Sequence, residues 1–525
     1  MATTLLIALD GATYTIMEPM MKKGTMPFFS KLVTEGAHGI LMSTEHPLTP
    51  PAFTTMITGR GPGRHGLLDF IKGEDDGSGV FFTLYDARDN RCETLWSMAN
   101  RQNRKVMALN FVMSTPVTPV CGYIVPGMTH WKHLRRHMHP TEFYEKLKAQ
   151  SWFDPKVMCW DFDHMEKAIT SKPEMSSAEW VRDHIGRERQ WFQVMRFLMK
   201  KDPADLMAIV FDGVDKVQHV CWDLMDPATR PANPTPEQAE TLKLIDQYFS
   251  ELDGFIKELV DLAGSRARTF ITSDHGFGPF YLTVRLNQFL HEQGLLFWNE
   301  GEGSEADAEG LNLDWSRTVA YCPTQSSNGI FIRVADQPGK PGIDPAKYDE
   351  VRNGLIAKVR ELRDPVTNEP VVKDVLLREK SFAGPGMKRA PDITLVLVDH
   401  GFVNTSPGAR VVDRKPEVKG THYPEGVFIA YGDGIQKGAK LPRLAMVDVA
   451  PALLHSLGLP IPSNLEGHVP VEAFDAEWMQ ENPIEAGAPA REAEEAPEAP
   501  KSAEPSSEDA KKEVYEQLRA LGYIE

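Results

Sequence analysis

Seven side chains of this sequence are of types that bind metal ions or attack phosphorus, and they lie in short segments far apart along the chain. They are Asp10, Thr49, Asp215, His219, Asp274, His275 and His422. Oxygen and imidazole ligands without thiolates are typical of hydrolytic zinc or manganese rather than of structural zinc. Two such ions about 4 Å apart would stabilise in-line displacement at phosphorus. Each side chain alone also has an ordinary structural explanation, so the interpretation depends on their combination.

Two of these segments place carboxylates directly after apolar runs. Asp10 follows the run 3–9, although an Asp-Gly pair by itself indicates an ordinary turn. Asp274 and His275 follow the run 269–272 and precede glycines in FITSDHGFGP. Two adjacent ligand-type residues in that position are hard to explain as core packing, and a hydrogen-bonded pair in a loop is the alternative.

Thr49 lies in the segment HPLTPPAFTTMITGRGPGRHG, where two prolines predict the start of a helix. This spacing places Thr49 at or just before the N-cap, beside free N–H groups and the positive end of the helix dipole, which is a natural anion site. A plain capping role is the simpler interpretation of the threonine alone. A catalytic role would require a base or a metal ion that activates the hydroxyl.

The other ligand types lie in two further segments. Asp215 and His219 are four residues apart in FDGVDKVQHVCW, so on a helix they would share one face and could chelate one ion. An acid–histidine pair with this spacing is about as often a plain surface interaction. His422 lies in a Gly/Pro-rich loop just before an apolar run, where a lone histidine is usually a surface residue.

The elements that must bring these residues together are predicted from hydrophobic patterns. Helical spacing covers 236–263 and 446–457. Strand-like apolar runs cover 3–9, 106–109, 206–211, 269–272, 393–398 and 427–431. Strands alternating with helices indicate an α/β fold with a central, mostly parallel sheet flanked by helices. Ligands of such sheets lie beyond the carboxyl ends of the strands, where three of these runs are followed by aspartates, so we expect the seven residues at one edge.

The domain organisation follows from the segments that do not fit this alternation. Residues 111–200 and 286–389 are interpreted as insertions that decorate or cap a catalytic domain of residues 1–480. Residues 481–507 are rich in Ala, Pro and Glu, which predicts a disordered acidic linker. Residues 508–525 could form a short C-terminal helix that docks on its own body or on a partner, which would allow an oligomer.

Composition limits the classes of partner. The 525 residues carry a formal net charge of −17, which argues against coating a nucleic acid but allows an anionic substrate, because bound metal can reverse the potential of one cleft. No apolar run approaches the ~18–20 residues of a transmembrane helix. The N-terminus lacks the features of a signal peptide. The five cysteines are scattered and contain no CxxC pair, so we expect reduced thiols and a cytoplasmic protein.

The order of the motifs is more specific than any one of them. Asp, then Thr in TPPAxTTxxTGxxPGxHG, then DxxxH, SDHG and GxH resembles the alkaline phosphatase superfamily. The pattern is most similar to the type I phosphodiesterase/nucleotide pyrophosphatase branch and its predicted phosphohydrolase/phosphomutase relatives. The resemblance runs from Thr4 to about Gly467 and implies the fold of that superfamily.

The resemblance also implies roles for the seven residues. One metal would be bound by Asp215, His219 and His422. The second would be bound by Asp10, Asp274 and His275, with Thr49 bridging toward it as the nucleophile. The implied activity is hydrolysis of a small-molecule phosphoric ester, either a diester or a monoester, through a phospho-threonine intermediate. Zinc is the first expectation for both ions, and manganese is the alternative.

Departures from the family pattern leave other readings open. Thr49-Pro-Pro-Ala lacks the modifiable residue and the arginine of a sulfatase. Ala52 stands where nucleotide pyrophosphatases often carry an asparagine that holds a phosphate oxygen, so Asn110, Lys132 and Arg135 become candidate substrate contacts. The two basic residues could equally belong to a solvated surface. A phosphomutase with the same threonine is the alternative activity, and an inactive scaffold protein is a third reading that the complete ligand set disfavours.

Overall fold

The computed structural model describes residues 3–493 except 76, 78, 160–174, 300–312 and 336–339. Its strands are β1 (Thr4–Leu9), β2 (Ala37–Met42), β3 (Ile71–Asp75), β4 (Val80–Leu84), β5 (Val106–Leu109), β6 (Gly122–Val125), β7 (Leu206–Phe211), β8 (Arg268–Thr272), β9 (Gly276–Val284), β10 (Ala320–Tyr321), β11 (Gly329–Ile332), β12 (Val372–Leu377), β13 (Ile393–Leu397), β14 (Val412–Tyr423), β15 (Glu425–Gly432), β16 (Leu444–Ala445), β17 (Ile461–Pro462) and β18 (Ala486–Gly487).

The α-helices of the described residues alternate with many of these strands. They are α1 (Tyr14–Lys23), α2 (Pro27–Glu35), α3 (Thr49–Thr58), α4 (Pro62–His65), α5 (Leu95–Asn100), α6 (Leu134–His137), α7 (Phe143–Lys148), α8 (Pro155–Met158), α9 (Ser177–Lys201), α10 (Gly213–Met225), α11 (Pro236–Ala263), α12 (Leu286–Glu292), α13 (Tyr348–Val359), α14 (Arg378–Ser381), α15 (Val449–Ser456) and α16 (Ala476–Glu481). The predicted helix 236–263 is α11, and the predicted helix 446–457 is a short 3₁₀ turn that continues into α15.

An eight-stranded sheet forms the centre of the molecule. Its strand order is β16-β2-β15-β8-β1-β7-β5-β6, and all neighbours are parallel except where β15 runs antiparallel to β2 and β8. Every residue of β1 is buried. The predicted α/β fold, with a mostly parallel central sheet flanked by helices, is confirmed.

Each face of this sheet packs against its own set of helices. Leu5, Ile7 and Leu9 of β1 belong to an apolar cluster with residues of α1, α2, α9, α10 and α11. Leu6 and Ala8 point to the other face and belong to a second cluster with residues of α3, α5 and α15. The period of two along β1 explains why a strand covered on both faces is apolar throughout.

One predicted strand lies in a different sheet. The apolar run 393–398 is β13, which belongs to an antiparallel sheet of order β10-β11-β13-β12 rather than to the central sheet. This second sheet has an apolar cluster of its own, separate from the two clusters of the central sheet. A continuous apolar run predicts a buried strand but carries no information about which sheet buries it.

The two predicted insertions differ in kind. Residues 111–200 contain β6, the edge strand of the central sheet, and α9, which packs on α11 and buries Trp191 and Leu198, and their interpretation as an insertion stays a prediction. The Met-, Trp- and His-rich composition of this segment hid the 25-residue amphipathic pattern of α9. Residues 286–389 supply three of the four strands of the second sheet, and their role as a cap stays a prediction.

The start of the predicted linker is bound to the catalytic body. Within residues 482–493, β18 pairs with β17, and Ala490 N donates to Asn464 Oδ1 at 2.7 Å. Arg491 N donates to Glu93 Oε2 at 2.9 Å, and Glu492 is paired with the buried guanidinium of Arg60. Fixed polar partners compensate here for the lack of apolar residues, and the linker boundary at 481 stays a prediction. The rest of the predicted linker and the predicted helix 508–525 lie outside the described residues.

Two further findings concern compartment and membrane. All five cysteines are free thiols, and four of them are buried. In the part of the chain that the structure describes, helices long and apolar enough to cross a bilayer are absent.

Shortening the chain should show the role of residues 482–493. A protein that ends at Glu481 loses the β17–β18 pairing and leaves the buried Arg60 without Glu492, so its free energy of unfolding should fall by about 2–4 kcal/mol. A protein that ends at Ala493 keeps these contacts and is the matched control. Urea denaturation measures the difference, and equal stability of the two truncated proteins would contradict the assignment.

Candidate active site

Three central strands deliver aspartates to the same edge of the sheet. In the parallel register, Leu9 of β1 pairs with Phe211 of β7, and Ala8 pairs with Thr272 of β8. Asp10 directly follows β1, Asp274 follows β8 by two residues, and α10 begins just after β7 and carries Asp215. Because the strands are parallel and in register, their carboxyl ends place these side chains next to one another.

The first group of ligand atoms surrounds one nitrogen of His275. Its Nε2 lies 3.4 Å from Asp10 Oδ1, 3.3 Å from Asp274 Oδ2 and 3.2 Å from Thr49 Oγ1. Asp10, Thr49, Asp274 and His275 are all buried. Ligand atoms of Asp10, Asp274 and His275 lie close enough together to hold one metal ion.

The second group is formed by residues of α10 and β14. Asp215 Oδ1 lies 3.0 Å from His422 Nε2 and 3.4 Å from His219 Nε2, and the two nitrogens are 3.1 Å apart. Asp215 and His422 are fully buried, whereas the side chain of His219 is about one-fifth exposed. The three atoms form a compact triangle of one oxygen and two nitrogens.

The two groups are in contact through their imidazoles. The rings of His275 and His422 stack with centroids 3.6 Å apart, and His275 Nε2 is 4.0 Å from Asp215 Oδ1. Ligand atoms of Asp215, His275 and His422 therefore also lie within reach of one ion. We favour the division with His275 beside Asp10 and Asp274, since those two distances are 0.6–0.7 Å shorter than the distance to Asp215.

Hydrogen bonds determine which nitrogen of each buried histidine carries the proton. His275 Nδ1 donates to Gly276 O at 3.0 Å, and His422 Nδ1 donates to Pro47 O at 3.0 Å. Burial lowers the pKa of His275 to about 4, and burial together with His275 lowers the pKa of His422 to about 3. Both rings are thus neutral near pH 7, and each directs the lone pair of Nε2 at carboxylate oxygens. A nitrogen lone pair and an ionised carboxylate oxygen repel each other, and a cation between them would turn this repulsion into attraction.

The carboxylates differ in their electrostatics. Burial, and then the charges of Asp274 and Asp215, raise the pKa of Asp10 well above its usual range. Burial raises the pKa of Asp274 to about 7. Burial alone would also raise the pKa of Asp215, but the charges of Lys216 and His219 outweigh it and hold that pKa well below its usual range. The Asp10–Asp274 side of the site therefore needs added positive charge, whereas Asp215 already has a cation beside it.

Two buried carboxylate oxygens of this site bear on whether a metal ion fits it. Within the described part of the chain, Asp10 Oδ1 and Asp274 Oδ2 are buried without a hydrogen-bond partner. A buried carboxylate oxygen without a donor is costly. Both atoms face the lone pair of His275 Nε2, and the donor set of oxygen and imidazole suits zinc or manganese. The residues therefore fit a bound divalent ion.

The buried cations of this region were not predicted from the sequence. Lys216 is about 4% exposed, and its Nζ lies 2.8 Å from Asp215 Oδ2, so that Asp215 presents Oδ1 toward the two histidines. Arg187 of α9 forms a buried ion pair with Asp212 at the end of β7. The adjacency of Asp215 and Lys216 was visible in the sequence, but a lysine beside an aspartate is usually exposed. No sequence pattern indicated the ion pair of Arg187, because its partner Asp212 lies 25 residues away.

The predicted substrate contacts are placed differently from the seven central residues. Asn110 Nδ2 donates to Val210 O at 3.0 Å and to Asp212 Oδ1 at 3.3 Å, so Asn110 ties the end of β5 to the end of β7. Lys132 is exposed, with its Nζ over the ring of Trp131. Arg135 is exposed and paired with Glu145. Contact of Asn110, Lys132 and Arg135 with a substrate stays a prediction.

The start of α3 offers fewer donors than the sequence suggested. Thr49 is the first residue of the helix and Leu48 is its N-cap. Pro50 and Pro51 have no N–H group, and Ala52 N donates to Leu48 O at 3.0 Å. The expected row of free N–H groups is therefore wrong, and the helix contributes mainly its dipole near the Thr49 hydroxyl.

A buried hydroxyl beside paired carboxylate–imidazole groups, at the carboxyl edge of an α/β sheet, is an arrangement that suits a phosphoester hydrolase. The family model described as type I phosphodiesterase / nucleotide pyrophosphatase matches residues 4–424. The chain belongs to this family. Comparison with curated proteins produced no match.

Solved structures with the same fold include two mammalian proteins. Murine ectonucleotide pyrophosphatase/phosphodiesterase 5, as an inactive variant in complex with AMP, superposes with a TM-score of 0.54 at 14% identity, covering 90% of this chain and 100% of that chain. The human protein of the same name superposes with a TM-score of 0.51 at 15% identity, covering 90% and 100%. At this identity the likeness shows the fold.

The raised pKa of Asp274 predicts how the stability of the metal-free protein depends on pH. The pKa rises from 3.8 to about 7 on folding, so this carboxyl contributes stability at acid pH that is lost as the pH rises through about 7. In excess chelator, wild type should lose more unfolding free energy between about pH 5 and about pH 7.5 than Asp274→Asn does, because the amide cannot ionise. Asp261→Asn, in an exposed pair with Lys257, is the control. Equal pH dependence in wild type and Asp274→Asn would contradict the assignment.

Proposed function

We propose that this chain is a two-metal phosphoric-ester hydrolase in which Thr49 accepts the phosphoryl group. The observation that carries the proposal is the convergence of Thr49 Oγ1 and of the unpartnered oxygens of Asp10 and Asp274, all buried, on the unprotonated Nε2 of His275. Membership of a family of phosphodiesterases and nucleotide pyrophosphatases supports it independently.

Six side chains would hold the ions. Asp215, His219 and His422 would bind one ion, while Asp10, Asp274 and His275 would bind the other, beside Thr49. Zinc is the preferred identity for both, with manganese as the alternative, because the donors are carboxylates and imidazoles. When bound, the ions would favour deprotonation of the nearby hydroxyl and neutralise negative charge on the phosphoryl oxygens.

The protein positions the attacking oxygen of Thr49 for a reaction in two steps. Every residue of α3 is buried, which holds Thr49 in place before substrate arrives. The Thr49 hydroxyl loses its proton as its oxygen forms a bond to phosphorus, the ester bond to the leaving group breaks, and the leaving oxygen gains a proton. Water then attacks the phospho-threonine, which for a diester still carries the second ester group; the P–O bond to Thr49 breaks, one water proton restores the hydroxyl, and the phosphate product, a monoester in the case of a diester substrate, is released.

We further propose that a diester is preferred over a monoester. A monoester carries a second negative charge, which requires additional donors near the phosphoryl group. Ala52 offers no side-chain donor, the Asn110 amide is bound to Val210 and Asp212, and the first turn of α3 lacks the N–H groups of Pro50 and Pro51. This shortage of donors suits the single negative charge of a diester.

The remaining features of the proposal concern partners and compartment. The substrate is a small-molecule phosphoester. Five free thiols fit a reducing environment, so we propose a cytoplasmic location. An oligomer formed through residues 508–525 would involve a segment outside the described residues.

Replacement of the nucleophile is the direct test of this function. Thr49→Ala should lower the turnover of bis-p-nitrophenyl phosphate at least about 1000-fold, because it removes the proposed acceptor of the phosphoryl group. Thr49→Ser retains a hydroxyl and should keep measurable turnover. Metal analysis should give about two ions per chain in all three proteins. Turnover of p-nitrophenyl phosphate, the monoester, should be slower than that of the diester in wild type.

Two results would contradict the proposal. Undiminished turnover by Thr49→Ala would exclude Thr49 as the nucleophile, and less than one ion per chain in wild type would exclude the two-metal site. Faster turnover of the monoester would contradict only the proposed preference for a diester. A phosphoryl group moved to a second hydroxyl of the substrate, without release of product phosphate, would indicate a mutase.

A further inference from the structure

We propose that a polar loop within the predicted insertion 286–389 positions the nucleophile by holding the chain on both sides of it. The anchor loop is defined as residues 324–328, and the nucleophile segment as residues 44–69, which include α3. The inference rests on the proposed role of Thr49. It assigns the insertion a function in the reaction beyond that of covering the sheet.

The first anchor lies upstream of Thr49. His46 is buried, and its Nε2 donates to the backbone oxygen of Ser326 in the anchor loop. Its own backbone oxygen accepts from Thr44 Oγ1 at 2.7 Å. The side chain and the backbone of His46 are thus both fixed three residues before the nucleophile.

The second anchor lies downstream of α3. Asp69 is buried, and its two carboxylate oxygens accept from the hydroxyls of Thr324 and Ser326, each at 2.9 Å. The anchor loop therefore binds residues 46 and 69, which flank the helix that begins with Thr49. Hydrogen bonds to an ionised carboxylate are stronger than those between neutral groups.

The anchor loop is itself fixed to the second sheet. Asn328 Nδ2 donates to Leu395 O and Gly401 O at 3.3 and 3.1 Å, and Val403 N donates to Asn328 Oδ1 at 2.9 Å. Thr324 and Ser326 are almost fully buried. A loop that is bound on both sides can transmit the rigidity of the second sheet to the nucleophile segment.

The same segment also orients a proposed metal ligand. Pro47 O, next to His46, accepts from Nδ1 of His422, and the ring of Phe402 packs against His422 with centroids 5.1 Å apart and near His46 at 6.5 Å. Movement of residues 46–49 would displace the nucleophile relative to His422. A shift of about 1 Å in a reacting group can lower turnover by about 100-fold. His46 is accordingly a positioning residue that acts through the backbone of residues 46–49.

The test compares replacements of His46 in the full chain. His46→Leu removes the bond to Ser326 O and should lower kcat for bis-p-nitrophenyl phosphate at least about tenfold, with KM changed less than about threefold. His46→Gln can place an N–H near the position of Nε2 and should restore kcat to within about threefold of wild type. Metal content should be the same in the three proteins, and amide hydrogen exchange of residues 44–52 should be faster only in His46→Leu.

Two further variants keep the test decisive. His291→Leu is the control. His291 also lies in the predicted insertion 286–389 and is hydrogen-bonded to a backbone oxygen, that of Leu296, and its replacement should leave kcat unchanged. If His46→Leu does not fold, Thr324→Val tests the downstream anchor, because it removes one hydroxyl donor to Asp69 and should also lower kcat at constant metal content.

Two outcomes would overturn the inference. One is wild-type kcat in His46→Leu or, failing its folding, in Thr324→Val; the other is failure of His46→Gln to restore the kcat that His46→Leu loses. Thr49→Ala separates this from failure of the proposed function. If Thr49→Ala remains active, the nucleophile assignment fails. If Thr49→Ala is inactive and His46→Leu has normal kcat, only the proposed role of the anchor loop fails.

Discussion

Mutual repulsion among three buried carboxylates is the constraint around which this molecule is arranged. Asp10, Asp215 and Asp274 lie at one sheet edge, all at most 2% exposed, where charges interact more strongly than in water. Lys216 neutralises part of this charge from beside Asp215. The Asp10–Asp274 side has no comparable ion pair among the described residues, and burial raises both of those pKa values. Protonation of these two carboxyls relieves the repulsion in the metal-free protein, and bound divalent cations would relieve it with both carboxylates ionised.

The rest of the site maintains this arrangement. Parallel strands in register deliver the aspartates, and backbone oxygens of Gly276 and Pro47 direct the lone pairs of His275 and His422 toward them. The formal charge of −17 is therefore a poor guide to the cleft. Two divalent cations would outweigh the three aspartates of the site, so an acidic protein can still bind a phosphoester.

The fold class, and the gathering of the predicted ligand residues at one sheet edge, were predictable from the sequence, because both depend on short-range patterns. The strand of Asp10 is apolar on both faces, and SDHG follows its strand directly, so the carboxyl edge of a parallel sheet could be inferred. The motif order that resembles the type I phosphodiesterase family agrees with the matching family model over residues 4–424. Helix α11 was predictable from its capping residue Thr235, its proline and its apolar spacing.

Long-range hydrogen bonds and ion pairs were not predictable, since no local pattern records them. His46 and Ser326 are 280 positions apart, and Arg187 and Asp212 meet across a helix and a strand. Residues 482–493 have the composition of a linker, yet specific polar contacts bind them to the body. The apolar run of β13 indicated a buried strand, but only its pairing with β11 and β12 assigns it to the second sheet.

Chemical identification of the covalent intermediate tests the central claim most directly. Wild-type enzyme mixed with a diester substrate, quenched rapidly in acid and digested, should yield a peptide in which Thr49 carries the phosphoryl group with its remaining ester substituent, and Thr49→Ala treated in the same way should yield none. The phosphopeptide should disappear when the reaction is quenched after substrate is exhausted, because water completes the second step. Phosphorylation at a different residue, or equal incorporation into Thr49→Ala, would contradict the account.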